Sequence, residues 1–169
     1  MNWADYQLGE DSDDIILETS EENMLAAINL ADQAQFTVDI FSRNLDQQIY
    51  DNRAFIDAVK RFILSSPRSQ IRILVIDPNV AIKHGHQLIE LSRRFTSYME
   101  IRKVHEHYAS SPEAFMTVDG RGFIHRKLAS RFDAIASFNN PEHASTLTHQ
   151  FDEVWQHSKA EAEYQRLHI

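Results

Sequence analysis

Cysteine is absent from this 169-residue chain, which excludes disulfides and thiolate chemistry and removes one argument for an extracellular setting. Glycine and proline are scarce, four of each, so there is no low-complexity linker and no glycine-rich phosphate or dinucleotide loop. Cations are outnumbered, 17 Lys and Arg against 25 Asp and Glu, giving a formal charge of −8. A field of that sign does not attract duplex nucleic acid or an anionic membrane, and binding to either is not expected. No apolar run approaches membrane-spanning length, and the opening residues carry neither the basic nor the apolar region of a secretion signal. The expectation is a soluble, cytoplasmic protein. A Gly-x-Ser-x-Gly elbow is missing too, which argues against a serine hydrolase despite the many Ser and His residues.

What is present is a 43% hydrophobic chain of a length that one core serves. Residues 1–18 hold Asp5, Glu10, Asp11, Asp13, Asp14 and Glu18 without clear periodicity and read as an acidic, solvated, flexible arm. Residues 19–169 read as a single domain. Thr19 and Glu22 have the spacing of a capping box, and Met24, Ala27, Ile28 and Ala31 line one face of the helix that follows. Residues 36–42 alternate and are rich in β-formers, as a strand requires. The unit recurs: Asp51 is placed to cap a helix with the stripe Phe55, Ile56, Val59, Phe62 and Ile63, and residues 71–76 form a run of branched residues suited to a buried strand. A third cycle has Leu88, Leu91 and Phe95 on a helix and residues 99–104 as a strand. Residues 115–119 and 122–125, joined through Gly120, read as a hairpin, so the sheet is expected to be mixed. A further strand, 134–138, leads to a terminal helix with Pro141 near its first turn and Leu147, Phe151, Val154 and Trp155 on its core-facing side. The fold class is α/β, a mixed sheet with helices on both faces.

This order of pieces resembles the phospholipase D-like superfamily from about Thr19 to about Ser158. Residues 115–120, with Asp119 and Gly120, are similar to the second half of that family's His-x-Lys-x4-Asp motif. Residues 136–139 are similar to its Gly-Ser-x-Asn turn with Ala136 for glycine, and residues 151–155 to its closing helix. The chemistry the resemblance implies needs a histidine nucleophile on phosphorus, a partner histidine as acid, and lysines for the developing phosphoryl charge. With Asp119 as the motif aspartate, Pro112 stands where the nucleophile belongs and Ala114 where the lysine belongs. A competing registration uses His125-x-Lys127, whose next aspartate, Asp133, comes one residue late. Either way the motif reads as degenerate, and a non-catalytic interaction or regulatory module is expected. The alternative is a divergent phosphodiesterase or nuclease with His125 as nucleophile and Lys127 as charge stabiliser.

A binding surface is expected to outlast the chemistry. Arg126, Lys127 and Arg131 concentrate charge near Ser137 and Asn139, with Arg43 and Asp119 completing a set for a phosphate or carboxylate. The plainer reading makes the three cations solvent-facing residues that keep a strand edge soluble. His84-x-His86 and His105-x-His107, with Asp77 nearby, have chelating spacing, but nine histidines produce such pairs by chance, and neither metal nor cofactor is expected. The resemblance further implies a homodimer, since single-motif members pair about a two-fold axis with the cleft at the interface. It also points to an uncharacterised bacterial group whose members can be joined to acetyltransferase domains, and such a domain or another protein partner would fit a regulatory role.

Overall fold

The structure, a computed structural model, describes residues 2–160. A 3-10 turn at Trp3–Asp5 precedes β1 (Ile15–Leu17), α1 (Ser20–Gln33), β2 (Thr37–Ser42), α2 (Gln47–Tyr50) and α3 (Arg53–Ser65). Next come β3 (Gln70–Val75), α4 (Asn79–His84), α5 (Gln87–Arg94) and β4 (Met99–Lys103). The chain closes with β5 (Ala114–Val118), β6 (Gly122–Arg126), β7 (Ala134–Ser137), α6 (Pro141–His157) and β8 (Lys159–Ala160). Among the described residues one sheet of eight strands runs β1-β7-β6-β5-β2-β3-β4-β8. The neighbours β2, β3 and β4 are parallel, while β5, β6, β7 and β1 add antiparallel on one side and β8 on the other.

Strand alternation sorts side chains onto two faces. Val38, Ile40, Ile71, Ile73, Met116 and Ile124 pack under α1, α3 and α5. Phe41, Leu74, Phe115 and Phe123 point the other way, under Ala144, Leu147, Phe151 and Val154 of α6. The layered α/β architecture read from the sequence is the one observed. Its hairpin is real as well: Asp119 and Gly120 sit at φ 55° and 66°, the pair of positive values that a type I′ turn requires.

Thr19 does cap α1, and Glu22 returns the bond to its backbone. Three local expectations are corrected. The buried side of α1 comprises Asn23, Ala26, Ala27, Leu30 and Ala31, with Met24 and Ile28 at its margin. The stripe is turned because Asn23 is drawn inside, its Nδ2 donating to the carbonyls of Thr19 and Phe132, both at 2.8 Å. The cap of α3 is Asn52, whose Oδ1 accepts from Phe55 N at 2.8 Å, whereas Asp51 accepts from Gln87 N at 3.0 Å.

The third correction concerns the expected solvated arm, residues 1–18: its described residues, 2–18, are anchored by packed apolar side chains. Tyr6 stacks on Phe138 at 5.5 Å, Leu8 N donates to Gln33 Oε1 at 2.7 Å, and Gly9 N donates to Phe138 O at 2.8 Å. Gly122 is closely covered there, since a Cβ would lie 2.7 Å from the terminal methyls of both Leu8 and Leu30 and would make them shift. Ile15 and Leu17 are buried and join the sheet through β7. The acidic residues occupy solvent-facing positions of this segment, so composition alone hides the few apolar residues that anchor it.

Candidate functional site

In an open sheet with parallel strands, ligands gather beyond the carboxyl ends of those strands. Here that rim holds Arg43 after β2, the entry of β5 with Pro112 and Ala114, and the exit of β6 with Arg126 and Lys127, because Phe41 pairs with Phe115 and Ala114 with Arg126. Pro112 is exposed and Ala114 is 2% exposed, a cyclic side chain and a methyl group with nothing to offer a phosphate. The loop after β6 closes over this corner, Ala129 N donating to Pro112 O at 2.6 Å.

Arg126 is 3% exposed, and four of its five N–H donors are engaged. Nη1 and Nη2 grip Asp46 at 2.8 and 3.3 Å, Nε donates to Arg131 O at 2.9 Å, and Nη2 also donates to Ala129 O. Phe132 lies beneath the guanidinium at 5.2 Å. Asp46 accepts from Ser42 Oγ at 3.0 Å as well. It follows Leu45, and both are non-glycine residues at positive φ, 68° and 26°, held there by Leu45 N donating to Ser42 Oγ and by His86 Nε2 against Leu45 O at 3.0 Å. Arg126 is thus a buried tie between two rim loops. Arg131 is exposed and pairs with Asp133 at 2.7 Å, and Arg43 Nη2 donates to Ser111 O at 3.2 Å. Lys127 is exposed, with no ion pair among the described residues.

His125 points to the other face, under α6. Its Nδ1 lies 3.0 Å from His143 Nε2, one ring donating and the other accepting. Its Nε2 is buried 3.6 Å from Glu113 Oε1, too long for a hydrogen bond but close for a charge. Glu113 is held by Gln150 Nε2 at 2.6 Å, and His143 stacks on Phe123 at 4.0 Å. This group lies beside a cleft of about 480 Å³ whose walls include Ile16, Leu128, Ile135, Lys127, His125 and His143. Glu113, His143 and Asp46 were missed in the sequence. One signal was available: adjacent residues of a strand face opposite ways, so His125 and Arg126 were never able to share a site.

The remaining residues of the expected set lie at the opposite rim. Val118 pairs with Gly122 and Phe123 with Ser137, which places Ser137 three residues along the strands from Arg126, about 10 Å, and Asp119 and Asn139 further still, beyond the strand ends. Asp119 is structural there: its carboxylate accepts from the backbone N–H groups of Gln35, Phe36 and Thr37 at 2.8, 2.8 and 2.9 Å. Ser137 is fully buried and accepts from Asn139 N at 3.2 Å. The structure therefore brings His125, Lys127 and Arg131 together and separates them from Ser137, Asn139 and Asp119. In the His-x-His pairs, His86 is buried and caps α5, while His84 is exposed and His105 caps the 3-10 turn Glu106–Tyr108. No group of three or more metal-binding side chains converges among the described residues.

Burial is the main cause that lowers the pKa of both His125 and His86, with the neighbouring carboxylates Glu113 and Asp51 respectively opposing it. A histidine whose folded pKa is depressed binds its proton more readily when unfolded. Its stabilising contribution is complete above the unfolded value near 6.5 and is lost as pH falls from there through the folded pKa. The unfolding free energy from urea titration is therefore expected to be lower at pH 5 than at pH 7, by at most about 1.4 kcal/mol per pH unit for each group. His125→Gln should flatten part of that slope. An unchanged slope in the variant would show that His125 does not contribute.

With this geometry in hand, comparisons with known proteins give the following. A family model described as "Domain of unknown function (DUF7931)" matches residues 19–167. No curated protein matches the chain. Nuc from Salmonella typhimurium, described as a phospholipase D family member, superimposes with a TM-score of 0.63 at 9% identity, covering 88% of this chain and 99% of its own. NucT from Helicobacter pylori gives 0.59 at 8% identity over the same shares, 88% and 99%. TrmBL2, described as an archaeal chromatin protein with a novel mode of DNA binding, gives 0.64 at 12%, covering 88% of this chain. The chain spans 54% of that archaeal protein. At these identities the likeness shows the fold, which is phospholipase D-like. No helix among the described residues is long and apolar enough to cross a membrane.

Proposed function

The chain belongs to the DUF7931 family of unknown function, and from that membership and its phospholipase D-like fold we propose that it is a non-catalytic interaction or regulatory module. The observation that carries this reading is the state of His125. One ring nitrogen is engaged by His143 and the other is buried against Glu113, so neither is presented to a phosphorus atom. The Pro112 and Ala114 positions support it from the other registration, with no nucleophile and no lysine. Anion binding is a minor part of the role, because Asp46 and Asp133 neutralise Arg126 and Arg131 and leave Lys127 and Arg43 as the cations free of carboxylate partners at this rim, among the described residues. A formal charge of −8 supports a partner other than duplex nucleic acid or an anionic membrane.

The two-fold pairing implied by the resemblance to single-motif phospholipase D-like proteins extends the proposal to a homodimer, with an acetyltransferase domain or another protein as the partner in a regulatory role. The competing reading, a divergent phosphodiesterase using His125 and Lys127, is favoured only by their shared cleft. Pure protein incubated with an aryl phosphodiester at several pH values is expected to release nothing above the buffer blank. Light scattering on the same sample is expected to give twice the 19.6 kDa chain mass. Hydrolysis that disappears in His125→Ala would overturn the non-catalytic reading and assign the nucleophile.

A further inference from the structure

The two edges of the sheet end differently. At one, the chain covers β4 with its own β8; at the other, β1 has no strand on its outer side among the described residues. Edge strands are ordinarily guarded by lysine, proline, a bulge or a covering loop. β1 has no lysine, proline or bulge within its three residues, Ile-Ile-Leu, and its shortness is the one guard it carries. Ile16 at its centre is 60% exposed, and Leu128, on the wall of the same cleft, is 49% exposed. An unpaired backbone edge thus lies beside an apolar trough with alternate side-chain access, the arrangement that accepts an added strand.

Charge selects the occupant. The exposed residues Asp13 and Asp14 precede β1 and Glu18 follows it, so the open edge is bracketed by carboxylates at both ends. A second copy laid antiparallel on β1 about Ile16 would set Asp14 of each molecule against Glu18 of the other, with Asp13 alongside, like charges in register. A segment with an apolar centre and basic flanks meets the same edge with opposite charges. We propose that β1 is a docking edge for an extended protein segment of that kind, which adds a strand outside β1, seats its central apolar side chain against Ile16 and Leu128, and sets its flanking lysines or arginines on Asp13, Asp14 and Glu18.

This inference rests on the interaction-module reading and names that module's partner. The two fail separately, since hydrolysis would sink the reading without touching a peptide titration. The probe is a fluorescent heptapeptide, Lys-Lys-Val-Ile-Val-Lys-Lys, titrated with the 169-residue protein and followed by anisotropy. Two further versions carry N-methyl groups on odd or on even backbone nitrogens, because a docked strand bonds the edge through alternate residues only. The expected result is saturable micromolar binding of the parent peptide and of one methylated version, with the other about tenfold or more weaker. Ile16→Lys, a surface change in a fold checked by circular dichroism, should weaken the parent by a similar factor. Phe36→Lys, 64% exposed at the start of β2 and far from β1, should leave it unchanged. Absence of saturable binding, equal binding of the two methylated versions, equal binding of a Glu-flanked counterpart, or retention in Ile16→Lys would each overturn the proposal.

Discussion

Replacing Arg126 with methionine is expected to cost about 3–5 kcal/mol of stability, the loss that follows when one member of a buried, hydrogen-bonded ion pair is removed. Methionine keeps the stem and deletes the fork. Asp46, with 13% of its side chain exposed, would then be left as a buried charge, and the carbonyls of Ala129 and Arg131 would lose their donor. Because a domain of this kind has a total of about 5–15 kcal/mol, the urea midpoint should fall by about a fifth or more. Arg126→Lys should recover only a small part, since one ammonium does not reach a carboxylate and two carbonyls in a single plane. A loss below about 1 kcal/mol in Arg126→Met would mean that the rim loops are held by other contacts. Leu45 and Asp46, both in left-handed backbone conformations, should be the first residues to move in the variant, which backbone amide shifts would report.

An equally large effect is expected on the other face. Asp39 is 3% exposed in the middle of β2 and receives both arms of the Arg72 fork at 2.9 Å. Arg72 also reaches Asp152 of α6 at 2.8 Å and lies over Phe151 at 4.8 Å, so one side chain joins β2, β3 and α6. Burial pushes the Asp39 carboxyl upward while the guanidinium opposes it. In Arg72→Met the opposition is gone, and a loss of about 3–5 kcal/mol at pH 7 is expected. The sign with pH separates this from lost packing. With its folded pKa raised, Asp39 takes up a proton on folding, so stability in the variant falls as pH rises between the unfolded and folded values. The gap to the parent protein should therefore narrow on going from pH 7 to pH 5. The double change Asp39→Leu with Arg72→Met should recover most of the loss, because an apolar pair leaves no buried charge. A gap of equal size at both pH values would assign the loss to packing on Phe151 and Trp155.

Most of the scaffold was legible because its signals are local. Residues 36–42, 71–76, 99–104 and 115–125 alternate or carry branched runs, and the observed strands begin and end within a residue or two of those limits. The turn at Asp119 and Gly120 announced the switch from parallel to antiparallel pairing. What escaped has non-local causes. Ile15–Leu17 is a strand because β7 offers it an edge, and three residues among carboxylates carry no periodicity of their own. Asp46 meets Arg126 across 80 residues of chain, and His143 meets His125 across 18, contacts that no spacing rule announces. The expected ligand set failed to assemble for a related reason. Arg126 and Ser137 are near in sequence, but one strand runs up to the rim and the next runs back from it, so proximity along the chain became distance in space.

Among the described residues, one face of the sheet is roofed by a single helix, α6. Without residues 141–160 the protein would keep α1, α3 and α5 over one side and lay bare Phe41, Leu74, Phe115 and Phe123 on the other. Such a fragment would carry a contiguous aromatic plane larger than soluble monomers tolerate. It would bind hydrophobic dyes and precipitate rather than unfold to a dispersed chain. For this molecule α6 is the element that decides whether the sheet is a domain or an aggregate, and any truncation library or fusion design has to keep it attached.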